Sequence, residues 1–398
     1  MRRLIPMRWV VLSVFVISSA LNYLDRQILA ALAPLVRAEF HLSHADYGWV
    51  LAAFSITYAA CSPFSGWLID RFGLNRGAGT AVALWSLAGV ATGLTRSLPG
   101  LIICRSWLGA AESAGVPAVG KAIYRYLPPQ ERALGNALSQ IGLSAGAIVA
   151  PPLATWFALR YGWRSAFIAT GMLGFIWIPL WLRVSRLAPA VGNEQRGPDQ
   201  TGSLAGLLRD RMLWGFVLAN ILSMPVYTLW TNWTTLYLSE AHGLSLIHAN
   251  RLAPVPNFFA YAGGLAGGWF SLRLIARGRQ ALAARRHACL LSALAALLTA
   301  AVTVAPGPWW ATLAISLSFF SITSWSVNLY TMPLDAFGGA RAAFCVSLLT
   351  GAYGAMQAVL SPLFGAIIDG YGYTPVITGA AVLPLAAYGV LHLTRRKS

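Results

Sequence analysis

Charged residues set inside apolar runs carry the most chemical information in this sequence. Asn22-Tyr23-Leu24-Asp25-Arg26 interrupts the apolar stretch from Trp9 to Ala33, and Arg105 and Glu112 interrupt another from Leu101 to Ala122. Each stretch reaches the roughly 20 residues that a helix needs to cross a bilayer. An ionised group at the bilayer centre costs on the order of 2.5–3.5 kcal/mol on insertion scales, so four of them require pairing or hydration. Arg105 and Glu112 are seven positions apart, two helical turns, and share one helix face. Adjacent Asp25 and Arg26 leave their helix about 100° apart. We expect the four to meet in one polar site inside a helical bundle. The competing reading puts Asp25-Arg26 at the end of its helix, as an interfacial pair whose charges snorkel to water.

The residue types divide the chemistry. Arginine keeps its proton in a protein, and its planar fork matches a carboxylate bidentately, which suits Arg26 and Arg105 to an organic anion. A desolvated carboxylate can titrate near neutrality, which suits Asp25 and Glu112 to carry protons. A protonated Glu112 would leave Arg105 free for substrate, whereas an ionised one would compete for it. Nearby spans add hydroxyls, amides and rings of the kind that hold sugars. Tyr23, Tyr58 and Gln140 lie in the first half; Asn232, Trp233, Asn328 and Tyr353 lie in the second. Each of these is also an ordinary packing or interfacial residue type.

Positioning such a site takes helices. Apolar segments give twelve candidate spans, at about 9–33, 47–69, 77–96, 99–122, 133–158, 163–183, 212–238, 250–275, 285–305, 309–333, 342–369 and 373–394. The fold class is therefore an all-α membrane protein with two six-helix bundles, 1–183 and 212–398, joined by a polar cytoplasmic linker, 184–211. Two similar halves are what alternating access requires. Composition excludes soluble domains: 57% of residues are hydrophobic and 10% charged, against about 25% charged in soluble chains. The sixteen tryptophans fit a chain with two membrane interfaces.

The net charge of +17 suggests nucleic acid until the charges are placed. Of 29 Lys and Arg, 22 fall on the side of the N-terminus, five on the other side, and Arg26 and Arg105 within spans. That positive-inside asymmetry puts both termini in the cytoplasm, with lipid headgroups as the partner and no nucleic acid. Cys61, Cys104, Cys289 and Cys345 lack metal spacing and read as packing residues. His41, His44, His242 and His248 fall in outer loops, and His287 and His392 near inner helix ends, where solvation is the default reading. No Gly-x-x-x-x-Gly-Lys-Ser/Thr loop is present, so ATP drive is not expected. No nucleophile–base pair marks an enzyme, and no metal or cofactor is expected beyond protons as the coupling ion.

Motifs then point to a family. Gly66-Trp67-Leu68-Ile69-Asp70-Arg71-Phe72-Gly73-Leu74-Asn75-Arg76-Gly77 resembles the loop signature of the major facilitator superfamily, with Asp70, Arg71 and Arg76 at its gating positions. Leu74-Asn75 departs from the usual basic pair. Asn22-Tyr23-Leu24-Asp25-Arg26, Arg105 with Leu108-Gly109 and Glu112, and Pro129-Gln130-Glu131-Arg132 resemble the anion:cation symporter family of that superfamily. Gly120-Lys121-Ala122, Gln140-Ile141-Gly142 and His242-Gly243-Leu244-Ser245-Leu246 make the chain most similar to its bacterial hexuronate transporters. The resemblance implies proton-coupled uptake of a sugar acid, a hexuronate or aldonate, by a monomer in the inner membrane. It assigns the proton to Asp25 and Glu112, the substrate to Arg26 and Arg105, and the cavity lining to Tyr23, Tyr58 and Gln140. The seventh span lacks the family's usual proline after Trp233, and the eleventh lacks an asparagine often found there, which leaves the substrate less defined than the coupling. The alternatives are transport of another small carboxylate, or export of drugs or metabolites on the same fold.

Overall fold

The computed structural model describes residues 7–128, 131–187, 207–337 and 339–394. Among them the regular structure is helical, and nine helices are long and apolar enough to cross a membrane. The described residues divide into two compact units, within Met1–Leu42 with Trp49–Arg196 and within Ser43–Gly48 with Gly197–Ser398. Most of the stretch expected as a linker, 184–211, lies outside the described residues. Ser43–Gly48, expected with the first bundle, groups with the second.

The first unit contains α1 (Met7–Phe40), α2 (His44–Phe72, from Trp49 onward), α3 (Leu74–Leu94), α4 (Leu98–Glu112), α5 (Gly115–Tyr126), α6 (Arg132–Tyr161) and α7 (Trp163–Val184). α1 is the axis of this unit and packs on α6, α7 and α5. Its close approach to α6 depends on Gly146, where a Cβ would overlap the Ala20 carbonyl oxygen and lie 3.0 Å from the Leu24 nitrogen. Both ends of α1 are fastened. Arg8 Nη2 bonds Glu131 Oε1 at 2.7 Å, and Glu39 accepts from Trp163 and Arg164.

The expected fourth span is two helices, and the reason is Pro117. Proline clashes with the carbonyl four residues earlier, which is Ser113, and the helix breaks at Ser113–Ala114, between α4 and α5. The freed Ser113 carbonyl is taken by the Ser65 hydroxyl of α2 at 3.0 Å, the kind of re-satisfaction a membrane interior demands. Glu112 thereby becomes the last residue of α4.

The second unit contains α8 (Arg211–Ser223), α9 (Pro225–Ala241), α10 (Leu246–Leu252), α11 (Pro254–Ala276), α12 (Ala281–Ala296), a 3₁₀ turn (Leu297–Val304), α13 (Pro308–Phe337), α14 (Gly339–Tyr371) and α15 (Tyr373–Leu393). α11 and α12 pack on α13, and α15 packs on α8. The seventh span is interrupted at Met224, where Pro225 opens α9. Five tryptophans depart from the interfacial expectation: Trp177, Trp181, Trp230, Trp233 and Trp325 are fully buried packing residues, whereas others such as Trp309 and Trp310 are exposed. Trp177 stacks on Trp181 and donates to the Val14 carbonyl of α1 at 2.7 Å.

Candidate functional site

α1 is helical throughout Asp25 and Arg26, so the two side chains diverge. Asp25 is buried and lies beside Thr170 of α7. Arg26 reaches α2 and α4 instead. Its Nε donates to Glu112 Oε2 at 2.5 Å. Its Cζ lies 4.6 Å from the ring centroid of Tyr58, 4.8 Å from that of Phe54 and 5.4 Å from that of Tyr23. These distances are within cation–π range. Arg105 uses the same Phe54 ring, with Cζ 5.0 Å from its centroid.

The site is shut away: Glu112 is 0% exposed and Arg105 3%, while the Arg26 side chain keeps 21% exposure. Asp25 is within electrostatic reach of Glu112 and Arg105. Arg26 and Glu112 pair where a single charge could not stay. One oxygen on each acid, Asp25 Oδ1 and Glu112 Oε1, meets no hydrogen-bond partner among the described residues. A carboxyl proton can reside there.

One expectation needs correction. The hydrogen-bonded partner of Glu112 is Arg26, where the sequence pointed to Arg105. Seven residues of helix separate Arg105 from Glu112 by about 10 Å along the axis, whereas α1 delivers Arg26 directly opposite Glu112.

Six of the candidate residues gather in the first unit: Tyr23, Asp25, Arg26, Tyr58, Arg105 and Glu112. Gln140 is exposed on α6. In the second unit, Asn232 donates to the Thr228 carbonyl at 3.0 Å. Asn328 is fully buried and donates to the Gly267 and Ser324 carbonyls at 3.1 and 2.9 Å, a tie between α11 and α13. Tyr353 meets Tyr227 edge-on, and buried Trp233 lies against His44 and Tyr47. Among the gating residues, Arg71 is exposed over the Trp67 ring and Arg76 is exposed; the side chain of Asp70 lies outside the described residues. Lys121 donates to the Ile69 carbonyl near the end of α2, at 3.1 Å.

Sequence reasoning missed Phe54 and Thr170. Phe54 and Tyr58 are four apart, so one face of α2 presents two rings; that spacing was the available signal. Thr170 carries none.

The arrangement defines a class: a helical membrane protein in two units with a charged site inside one of them. The Major Facilitator Superfamily model matches residues 15–344, and the chain belongs to that superfamily, a multi-pass membrane transporter and not an enzyme. It is 29% identical to the hexuronate transporter of Escherichia coli (strain K12) over 410 residues, covering 97% of this chain and 93% of that one. It is 30% identical to the galacturonate transporter of Dickeya chrysanthemi over 282 residues, 67% of this chain and 82% of that one. A bacterial homolog of the human lysosomal transporter Spinster, solved in an inward-facing and occupied conformation, aligns with a TM-score of 0.79. At 18% identity over 97% of this chain and 96% of that chain, the likeness shows the shared fold.

Proposed function

We propose that this protein is a proton-coupled symporter that takes up a sugar acid, of the hexuronate or aldonate kind, by alternating access. The observation that carries the reading is the buried Arg26–Glu112 pair, with Arg105 on the same phenylalanine ring. The names of the similar transporters support the substrate class.

The substrate carboxylate replaces Glu112 as the partner of Arg26. A proton on Glu112 removes the charge that holds the guanidinium, and the freed fork accepts the incoming anion bidentately. Arg105 supplies the second cation. The hydroxyls of Tyr23 and Tyr58, whose rings flank Arg26, suit the sugar's own hydroxyls. Asp25 takes a further proton. Release follows when Glu112 loses its proton and reclaims Arg26. No cofactor enters; protons drive the cycle. The charge asymmetry of the sequence supports an inner-membrane topology with both termini cytoplasmic, and Asp70, Arg71 and Arg76 then form the gating loop on that side.

The test is uptake of labelled glucuronate into proteoliposomes with an acid-outside gradient. The protein should accumulate glucuronate, and a protonophore should abolish accumulation. Glu112→Gln should keep glucuronate exchange and lose proton-driven accumulation, whereas Arg105→Ala should lose binding. Unchanged glucuronate binding by Arg105→Ala would overturn the assignment.

A further inference from the structure

A second group of ionisable residues sits at the α1–α2 turn, away from the pairs described above. His44, the first residue of α2, belongs to the second unit with the rest of Ser43–Gly48. Its Nδ1 lies 2.6 Å from Asp369 Oδ1 on α14, and its Nε2 lies 2.7 Å from Glu240 Oε2 on α9. Asp369 also accepts the backbone N–H groups of His44 and Ala45, at 2.9 Å each. Glu240 Oε2 accepts the Tyr373 hydroxyl of α15 at 2.6 Å. The imidazole lies nearly parallel to the Trp233 ring, at 6.1 Å between centroids, and edge-on to Tyr373 at 5.9 Å.

This geometry counts protons. A neutral imidazole donates from one nitrogen and presents a lone pair at the other. Here both nitrogens face carboxylate oxygens, so satisfying both contacts takes an imidazolium, or one carboxyl that keeps its proton. Either way the cluster binds one proton more than a neutral ring between two carboxylates. The backbone brings the parts this close. Gly48 is one turn beyond His44, and a Cβ there would overlap the Ser361 carbonyl oxygen and lie 2.6 Å from Pro362 Cα. Gly365 is one turn before Asp369, and a Cβ there would overlap the His44 carbonyl oxygen and lie 2.6 Å from the Ala45 nitrogen.

Among the described contacts, the titratable groups facing the ring come from three neighbouring elements. α14 supplies Asp369, α9 supplies Glu240 and α15 supplies Tyr373. On α2 itself, Asp46 is bonded to the Ser43 hydroxyl and N–H at 2.7 and 3.0 Å. His242, beyond α9, stacks edge-on against Tyr237, which meets Tyr373. Burial holds the His242 imidazole below its ordinary value.

We propose that His44, Glu240 and Asp369 form a proton-binding site, separate from Asp25 and Glu112, whose loading holds Ser43–Gly48 against α9 and α14. From Trp49 onward the same helix belongs to the first unit and carries Phe54 and Tyr58 to Arg26. In the topology proposed above this end faces outside, so external pH sets the loading.

The experiment is hydrogen exchange on the full chain in lipid nanodiscs, read as protection factors for amides 43–48 after correction for intrinsic rates. The comparison is made between pH 5.5 and pH 8.5. Protection should fall about tenfold from pH 5.5 to pH 8.5, as one charged hydrogen bond is lost. His44→Gln should show low protection at both pH values. Glu240→Gln removes one carboxylate that favours the charged ring and should move the midpoint to lower pH, which keeps the test open if His44→Gln fails to fold. Asp25→Asn and Glu112→Gln should leave the step in place, so failure of the transport reading and failure of this one are distinguishable. Protection independent of pH in the unmodified protein, or a step that survives in a folded His44→Gln, would overturn the proposal.

Discussion

One phenylalanine ring serving two guanidiniums makes Phe54 more than packing. Each cation–π contact is worth about 0.5–2 kcal/mol as desolvation increases, so Phe54 helps hold Arg26 and Arg105 in place before any anion arrives. Phe54→Leu keeps an apolar side chain and removes the quadrupole. Glucuronate affinity should fall about five- to thirtyfold, as one to two such contacts would predict, while the dependence of uptake on the proton gradient persists. Isothermal titration with glucuronate alongside proteoliposome uptake would check both halves. Arg26→Lys offers a sharper contrast, because a point charge can pair with Glu112 but cannot grip a carboxylate bidentately. Its glucuronate binding should weaken at least tenfold. At this scale the four charges were legible because ionised residues stand out against apolar runs. Phe54 was hidden because an aromatic residue in a span looks like any other. The partners of His44 were hidden for another reason: they lie 196 and 325 positions away along the chain.

Helices place these residues, and their breaks matter as much as their lengths. Hydropathy located the spans, but it could not show that Pro117 divides the fourth one and leaves Glu112 at a helix end. The proline was visible; its consequence depends on Ser65 being present to take the freed Ser113 carbonyl. Hydropathy also ended the first span near Ala33, whereas α1 continues to Phe40 with Pro34 inside it. Glu39, near that end, anchors the helix to Trp163 and Arg164 of α7. Gly146 offers a test of this scale. Gly146→Leu would force α6 away from α1 beside Leu24, the residue before Asp25. Overpacking of this kind costs about 1–3 kcal/mol, so thermal unfolding in detergent should shift to lower temperature. Because α1 carries Asp25 and Arg26 together, glucuronate binding and proton coupling should both decline. A variant that lost stability while keeping both at wild-type levels would show that α1 can move without disturbing the pair.

Charge bookkeeping across the whole molecule yields the remaining prediction. The asymmetry of Lys and Arg along the chain was readable because topology is written in loop charge, one position at a time. The grouping of Ser43–Gly48 with the second unit was not, since it follows from two glycines on helices that hydropathy treats as separate. In the proposed cycle two acids load protons, Asp25 and Glu112. If both load for each monovalent sugar acid, one net positive charge crosses per cycle. A membrane potential of 100 mV, negative inside, then contributes about 2.3 kcal/mol, which corresponds to about fiftyfold in the accumulation ratio. Potassium diffusion potentials set with valinomycin, at equal pH on both sides, should therefore drive glucuronate accumulation in that proportion. Asp25→Asn leaves one titrating acid and an electroneutral cycle, so the same potential should no longer change its accumulation ratio. A response to voltage that persisted unchanged in Asp25→Asn would remove Asp25 from the proton path and leave Glu112 to carry the coupling alone.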